Sequence, residues 1–169
     1  MIWIGHLMQK IKVTWQKKDF ADLEYISKGG YGTKPFVKYT QDIYKTIINN
    51  DVYHLPNPMP AFVDSVLDNF DFRIKSVALN KTPAGNILPL HKDEYKVFME
   101  KNDIQDINSI YRFIVFLEDS KPGHFMQIGK KIYSQWQSGD YVGWQGETLH
   151  AAYNLGIEDR YTLQVTCLK

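Results

Sequence analysis

Cysteine is almost absent from the sequence, which excludes internal disulfides and a cysteine-based zinc site. Cys167 is the only one, and it lies in an apolar segment near the C-terminus. A lone cysteine in such a segment is typical of an inert buried thiol. Proteins that do not use disulfides are common in reducing compartments, so we expect the cytoplasm.

Long hydrophobic runs and a strong net charge are also missing. No segment is apolar over a length that could span a bilayer, and residues 1–8 lack the features of a signal peptide. The 20 lysines and arginines nearly balance the 19 aspartates and glutamates. Such a balance provides no broad field for nucleic-acid phosphates or anionic lipid. We therefore expect a soluble protein without a membrane partner or a strong nucleic-acid signal, and the sequence leaves its oligomeric state open.

Repeats, low-complexity tracts and linkers are absent as well, which favours a single domain over residues 1–169. With 44% hydrophobic and 14% aromatic residues, the chain can bury one sizeable core. Residues 1–70 look like a mixed support region, and residues 71–169 like a β-rich core. In the first part we predict one or two strands in 2–15 and a short helix over Asp19–Ile26. A loop is expected at Gly29, Gly30 and Gly32. We also predict two helices, over 39–49 and 60–70, that pack outside a sheet.

The second part shows short β-type segments separated by turn signals. These segments are Phe72–Asn80, Ile87–His91, Ile110–Leu117, His124–Ile128, Lys131–Gln137, Tyr141–Trp144, His150–Asn154 and Tyr161–Leu168. Such spacing favours a sandwich or barrel, and a jelly roll is the version that offers a metal site at its opening. We therefore predict a fold that is mainly β with flanking helices (α+β), in the form of a cupin-like double-stranded β-helix. The polar stretch Glu94–Asn108 can cover the opening as a lid.

Three residues of this β-rich part form a candidate metal site. His91 and Asp93 are one residue apart at the end of a predicted strand, so alternation sends both side chains to one face. His150 belongs to a later strand. Two imidazoles and one carboxylate suit ferrous iron with open positions for oxygen chemistry, and zinc competes for the same ligands.

A candidate anion clamp follows these ligands. Arg160 comes ten residues after His150, and Thr162 lies on the same strand face as Arg160. An arginine binds a carboxylate through two parallel hydrogen bonds, and a threonine hydroxyl can donate a third. The pair therefore supplies an anchor for a dicarboxylate.

Together these residues resemble the Fe(II)/2-oxoglutarate-dependent oxygenases. The motifs are His91-Lys-Asp93, the distal His150 and Arg160-Tyr-Thr162, and the similarity covers residues 76–168. The segments Tyr111–Leu117, Trp136–Asp140 and His150–Asn154 are similar to the aspartyl/asparaginyl β-hydroxylase-like branch, although Ile114 stands where that branch commonly has a histidine.

The resemblance implies a role for each matched residue. His91, Asp93 and His150 would be the catalytic iron ligands, and Arg160 with Thr162 would bind 2-oxoglutarate. Arg112 would lie near the carboxylate of the cosubstrate or substrate. The expected activity is hydroxylation of a C–H bond of an amino-acid side chain, free or peptidyl, with Fe(II), 2-oxoglutarate and O₂, and with release of succinate and CO₂.

Two further residues are candidates for the substrate pocket. His124 lies on a predicted strand that can point towards the same opening, although a lone histidine is more often structural. Trp144 lies close to the metal strand, although aromatic residues in strands are usually core. Two other functions stay open, namely oxidation of a nucleobase or nucleic acid and a noncatalytic jelly roll that binds a small ligand.

Overall fold

The structure, a computed structural model, describes residues 8–28, 38–39 and 41–168. These residues form eleven β-strands, three short α-helices and two 3₁₀ turns, at Lys17–Asp19 and Ile107–Ser109. The strands are β1 (Gln9–Lys10), β2 (Ile26–Ser27), β3 (Asp51–Tyr53), β4 (Ile74–Thr82), β5 (Ile87–His91), β6 (Ile110–Phe116), β7 (His124–Ile128), β8 (Lys131–Tyr133), β9 (Asp140–Gln145), β10 (His150–Asn154) and β11 (Arg160–Leu168). The helices are α1 (Asp42–Ile47), α2 (Phe62–Leu67) and α3 (Lys96–Asn102).

The strands form two antiparallel sheets. The larger sheet has the order β1-β9-β6-β11-β4-β3-β2, and the smaller one has the order β5-β10-β7-β8. From β4 onward the chain passes back and forth between the two sheets, so each sheet receives four of the last eight strands. This path is that of a double-stranded β-helix, or jelly roll. The predicted fold class is therefore confirmed.

Strand β11 lies in the middle of the larger sheet, paired with β4 on one side and β6 on the other. Its outward-facing residues belong to the main hydrophobic core, and these are Tyr161, Leu163, Val165 and Cys167. Alternation along the strand directs the remaining residues, Arg160, Thr162, Gln164 and Thr166, towards the interior between the sheets. Strand β11 thus has an apolar outer face and a polar inner one, whereas β6 and β9 of the same sheet present the apolar Ile114, Phe116, Val142 and Trp144 to the interior.

The N-terminal part of the chain covers that outer face. Trp15, Phe20 and the α2 residues Phe62, Val63 and Val66 lie in the same core cluster as β11. The Trp15 indole Nε1 also donates a hydrogen bond of 2.8 Å to the Leu117 carbonyl oxygen. The prediction that the helix near residues 60–70 packs outside a sheet is confirmed.

Two local predictions for the N-terminal part differ from the structure. Helix α1 buries none of its residues, and only Ile48, just beyond its end, is buried, in a bridge to Ile87. The helix predicted over Asp19–Ile26 is wrong because Asp19 ends a 3₁₀ turn, where its carboxylate accepts from the Gln16 amide. The glycine loop at Gly29, Gly30 and Gly32 lies outside the described residues.

The stretch Glu94–Asn108 is more ordered than the predicted polar lid. It contains α3, and a cluster of buried Tyr95, Ile104, Ile110 and Leu168 fastens it to the end of the larger sheet. Both residues that flank α3, Tyr95 and Asp103, have a left-handed backbone with φ of 50°. This backbone conformation is uncommon for a bulky residue such as Tyr95. The Tyr95 ring is buried and faces the interior. None of the helices described is long and apolar enough to cross a membrane.

Gly85 and Gly123 allow a test of how much the close approach of two loops contributes to stability. Gly85 and Gly123 both have positive φ, and a Cβ at Gly85 would meet nothing within 4 Å. A Cβ at Gly123 would lie 2.3 Å from the backbone nitrogen of Gly156. We expect Gly85→Ala to lower the free energy of unfolding by about 1–2 kcal/mol through backbone strain alone. Gly123→Ala should cost roughly 1–3 kcal/mol more, because backbone must move.

Urea unfolding of the two variants measures this difference directly. Gly85→Ala is the matched control, since both changes add one methyl group at a left-handed turn position. Equal losses in the two variants would show that the Gly123–Gly156 approach does not constrain the fold.

Candidate metal centre

The three predicted ligands meet on the smaller sheet. His91 ends β5 and His150 begins β10, and the two residues are direct partners in the strand register. Asp93 follows β5 by two residues, and alternation returns its side chain to the face of His91. One ligand atom from each residue can be chosen so that all three atoms lie within 4.8 Å of one another.

Backbone hydrogen bonds orient the two imidazoles. His91 Nδ1 lies 2.8 Å from the Pro89 carbonyl oxygen, and His150 Nδ1 lies 2.9 Å from the Thr148 carbonyl oxygen. Because a carbonyl oxygen only accepts, each Nδ1 carries the hydrogen and each Nε2 carries the lone pair. This is the arrangement in which an outer hydrogen bond fixes the ring of a metal-binding histidine.

Burial keeps both imidazoles neutral. His91 is 9% exposed and His150 is 6% exposed. Burial lowers the pKa of His91, and it lowers the pKa of His150 to about 4, although the charge of Asp93 opposes both shifts. A neutral imidazole is the form that binds a metal, so these two rings need not lose a proton first at neutral pH.

Asp93 is ionised and fixed by Arg112. Burial would raise the pKa of this carboxyl, but the neighbouring positive charge, chiefly that of the Arg112 guanidinium, outweighs burial and holds the pKa below its usual range. Arg112 Nη1 donates a hydrogen bond of 2.7 Å to Asp93 Oδ2, and its Nη2 donates one of 3.1 Å to Thr166 Oγ1. The Arg112 guanidinium also lies 4.7 Å from the centre of the Tyr95 ring. Arg112 therefore holds Asp93 in position.

The spacing of the ligand atoms suits one metal ion. Asp93 Oδ1 lies 3.8 Å from His91 Nε2, and Asp93 Oδ2 lies 3.4 Å from His150 Nε2. Two ligands that each lie about 2.1 Å from an ion can be at most about 4.2 Å apart. Each distance falls within that limit but involves a different Asp93 oxygen, and the set with one atom from each residue spans up to 4.8 Å, so a bound ion would draw the three side chains slightly closer together.

A cavity of about 120 Å³ connects this triad to Arg160. Both groups line it, together with Thr162, Trp144 and Arg112. Arg160 is 4% exposed, and burial lowers the pKa of its guanidinium to about 10. Its Nη1 donates to the Phe125 carbonyl oxygen at 2.8 Å, but its buried Nε has no hydrogen-bond partner, and no carboxylate of the described residues pairs with it. A buried cation without a counter-ion is costly, and a bound anion would relieve that cost.

Sequence reasoning missed the polar residues that complete the cavity wall. Asn50, Asn80 and Thr82 form a chain in which the Asn50 amide donates to Asn80 Oδ1 at 2.8 Å and the Thr82 hydroxyl donates to Asn50 Oδ1 at 3.1 Å. Gln164 joins them from β11. The signal was present in β11, where polar residues recur at every second position, and in part in β4, where Ala78 interrupts the series of Ser76, Asn80 and Thr82. Asn50 precedes β3 and belongs to no such series.

Two of the other candidates lie in different environments. Trp144 is fully buried with its ring centre 4.3 Å from that of His150, so it forms part of the cavity wall. His124 is not among the residues that line this cavity. Its Nδ1 accepts from the Lys121 amide at 3.4 Å, and its Nε2 then donates to the Glu158 carbonyl oxygen at 3.3 Å. His124 thus connects two loops.

Comparisons with known proteins give only distant structural similarities. No family model and no curated protein matches the sequence. Among solved structures, a predicted oxalate decarboxylase from Thermotoga maritima is 19% identical, over 72% of this chain and 82% of that one, with a TM-score of 0.44. A cupin domain from Schizosaccharomyces pombe is 8% identical over 71% and 65%, with a TM-score of 0.43. A cupin protein from Bacteroides fragilis is 14% identical over 61% and 73%, with a TM-score of 0.40.

The jelly-roll assignment rests on the strand order of this chain. A jelly roll with a His/Asp/His cluster in a polar cavity is compatible with a metalloenzyme and with a metal-containing ligand-binding protein.

Substitution of a direct ligand should weaken metal binding more than substitution of a residue that only holds a ligand. We expect His150→Ala to weaken Co(II) binding the most, because one of three ligands is lost. Arg112→Gln should weaken it about 10–100-fold, since an outer partner of a ligand is removed. His54→Ala is the control, because His54 lies outside the cluster. Equilibrium dialysis gives the three affinities, and equal affinity in His150→Ala and His54→Ala would exclude this cluster as the metal site.

His124 should make the stability pH-dependent. Burial lowers its pKa in the folded protein, so the unfolded state binds more protons below the ordinary pKa of about 6.5. Its contribution is therefore fully present above pH ~6.5 and is lost as the pH falls through the folded pKa. His124→Gln keeps one acceptor and one donor but cannot titrate. Urea unfolding between pH 8 and 5 should show a shallower pH dependence for this variant, and parallel curves would contradict the assignment.

Proposed function

We propose that the protein is an Fe(II)/2-oxoglutarate-dependent dioxygenase that hydroxylates a C–H bond of an amino-acid side chain, free or peptidyl. The observation that carries the proposal is the location of Arg160, a buried cation without a carboxylate partner among the residues that the structure describes, in the same cavity as His91, Asp93 and His150. A cavity with a metal triad at one part and an unpaired guanidinium at another suits a ligand that chelates metal and carries a distant carboxylate.

The donor set fits ferrous iron. Two neutral imidazoles and one ionised carboxylate are present, and such a triad leaves further positions of the ion for other ligands. The metal-binding residues would be His91, Asp93 and His150. The identity of the metal is part of the proposal, because zinc accepts the same donors.

The cavity also fits 2-oxoglutarate. A volume of about 120 Å³ equals about four waters at roughly 30 Å³ each, which is the scale of a cavity that holds one small organic molecule. Arg160 would bind the distal carboxylate through its fork of N–H groups, with the Thr162 hydroxyl beside it. The amides of Asn50, Asn80 and Gln164 are the other polar groups available to a ligand in this wall.

When both are bound, iron(II) and 2-oxoglutarate supply an oxidation in which O₂ and 2-oxoglutarate are consumed, a substrate C–H becomes C–OH, and succinate and CO₂ leave. The side chains contribute binding, orientation and exclusion of water. Arg112 keeps Asp93 ionised and correctly turned, and the Pro89 and Thr148 carbonyls hold the two imidazole rings. Trp144 and Met126, both buried, shield the cavity from solvent. No acid or base among these residues is required to move a proton.

An anaerobic titration with Fe(II) and 2-oxoglutarate tests the proposal without knowledge of the substrate. The wild-type protein should develop the visible charge-transfer band of the iron–keto-acid chelate. His91→Ala should lose the band. Arg160→Gln should retain it only at about 10–100-fold higher 2-oxoglutarate, because two charge-assisted hydrogen bonds are lost.

Arg73→Gln is the matched control, since Arg73 is an exposed arginine and does not line the cavity. It should titrate like the wild type. Folded protein that binds Fe(II) but develops no band would sink the oxygenase proposal and favour a ligand-binding jelly roll. A band equally strong in Arg160→Gln and Arg73→Gln would mean that Arg160 does not bind the cosubstrate.

A further inference from the structure

A second and larger cavity, of about 560 Å³, lies between helix α3 and the inner face of the larger sheet. On the helix side Lys96, Val97 and Lys101 line it. On the sheet side Arg112 and Gln164 line it, and these two residues also line the triad cavity. The two cavities therefore share a wall beside the candidate metal ligands.

The lining of this cavity has a single sign of charge. Lys96, Lys101 and Arg112 contribute cations, and no lining residue carries a carboxylate. Arg112 pairs with Asp93 at 2.7 Å, and Lys96 pairs with Glu94 at 3.3 Å, an exposed pair that holds its lysine only weakly. No ion pair with a carboxylate of the described residues involves Lys101. In a chain with a net charge of +1, this concentration of cations is local.

The cavity also has an apolar side. Val97 is 63% exposed although it is β-branched and apolar, and Phe98 lies beside it. The Tyr95 ring forms another part of the wall and lies against the Arg112 guanidinium. A ligand that fits these surfaces combines one anionic group with an apolar body.

We propose that this cavity binds the substrate, and that the substrate is a small organic anion with an apolar portion, held by Lys101 together with Lys96, beside the Arg112–Asp93 pair. The anionic group is a carboxylate or a phosphate, since ammonium groups attract both. The wall shared through Arg112 and Gln164 brings such a ligand next to the triad. Its role as substrate rests on the proposed oxygenase function, whereas the binding of an anion under α3 does not.

Metal-free protein provides the first test, because anion binding under α3 requires no iron. The probes are N-acetyl-L-leucine as a carboxylate, isoamyl phosphate as a phosphate and N-acetyl-L-leucine amide as the neutral counterpart. In ¹H–¹⁵N spectra we expect the anionic probes to shift the amide signals of Lys96–Asn102 and to bind at least about 10-fold more tightly than the amide. The stronger of the two anions identifies the anionic group.

Lys101→Gln should weaken the anionic probes several-fold and leave the amide unaffected. Lys92→Gln is the matched control, because Lys92 is also an exposed lysine but lies outside the lining and pairs with Glu147. The proposal is overturned if the neutral amide binds as tightly as the anions, if the shifts centre on Phe125 and Arg160, or if the two lysine variants behave alike.

The iron titration on wild-type protein separates this proposal from the previous one. A charge-transfer band without probe binding under α3 would contradict the proposed substrate cavity but support the oxygenase function. Probe binding without a band supports the anion cavity and removes its role in oxidation.

Discussion

The structure depends above all on the strict alternation of β11. This strand is the central member of the larger sheet, and its neighbours β4 and β6 fix its register along nearly its whole length. One set of its side chains fills the main core, and the other set lines the interior. A slip of one residue would bury Arg160 in the apolar core and turn Tyr161 into the cavity. The hydrophobic effect that fixes the outer face therefore also positions the guanidinium on the inner face.

That position is unfavourable for the isolated protein. Arg160 has lost most of its hydration, and the carbonyl of Phe125 is a partial replacement because it carries no charge. A partly satisfied buried cation persists when the surrounding packing determines it or when a ligand compensates it. The contrast with Arg112 is informative, because that arginine is neutralised by Asp93 within the chain. Of the two arginines, Arg160 is the one prepared for an external anion.

The sequence indicated the parts of the site that depend on local spacing. His91 and Asp93 share a face because they are two positions apart on a strand, and the same rule joins Arg160 to Thr162. It could not indicate contacts between distant strands. The Arg112–Asp93 pair joins residues 19 positions apart, and no local pattern predicts it. The apolar underside of α3 was hidden in a stretch with many charges, and His124 was ambiguous because its partners are backbone atoms of two loops.

The distribution of the cavity residues between the sheets affects how the molecule opens. His91 and His150 belong to the smaller sheet, whereas Arg160 and Thr162 belong to the larger one. A ligand that contacts both groups joins the two sheets across the interior. Separation of the sheets would then require release of the ligand, so occupancy would slow amide hydrogen exchange in β5, β10 and β11 together. The same ligand would make two halves of the jelly roll behave as one cooperative unit.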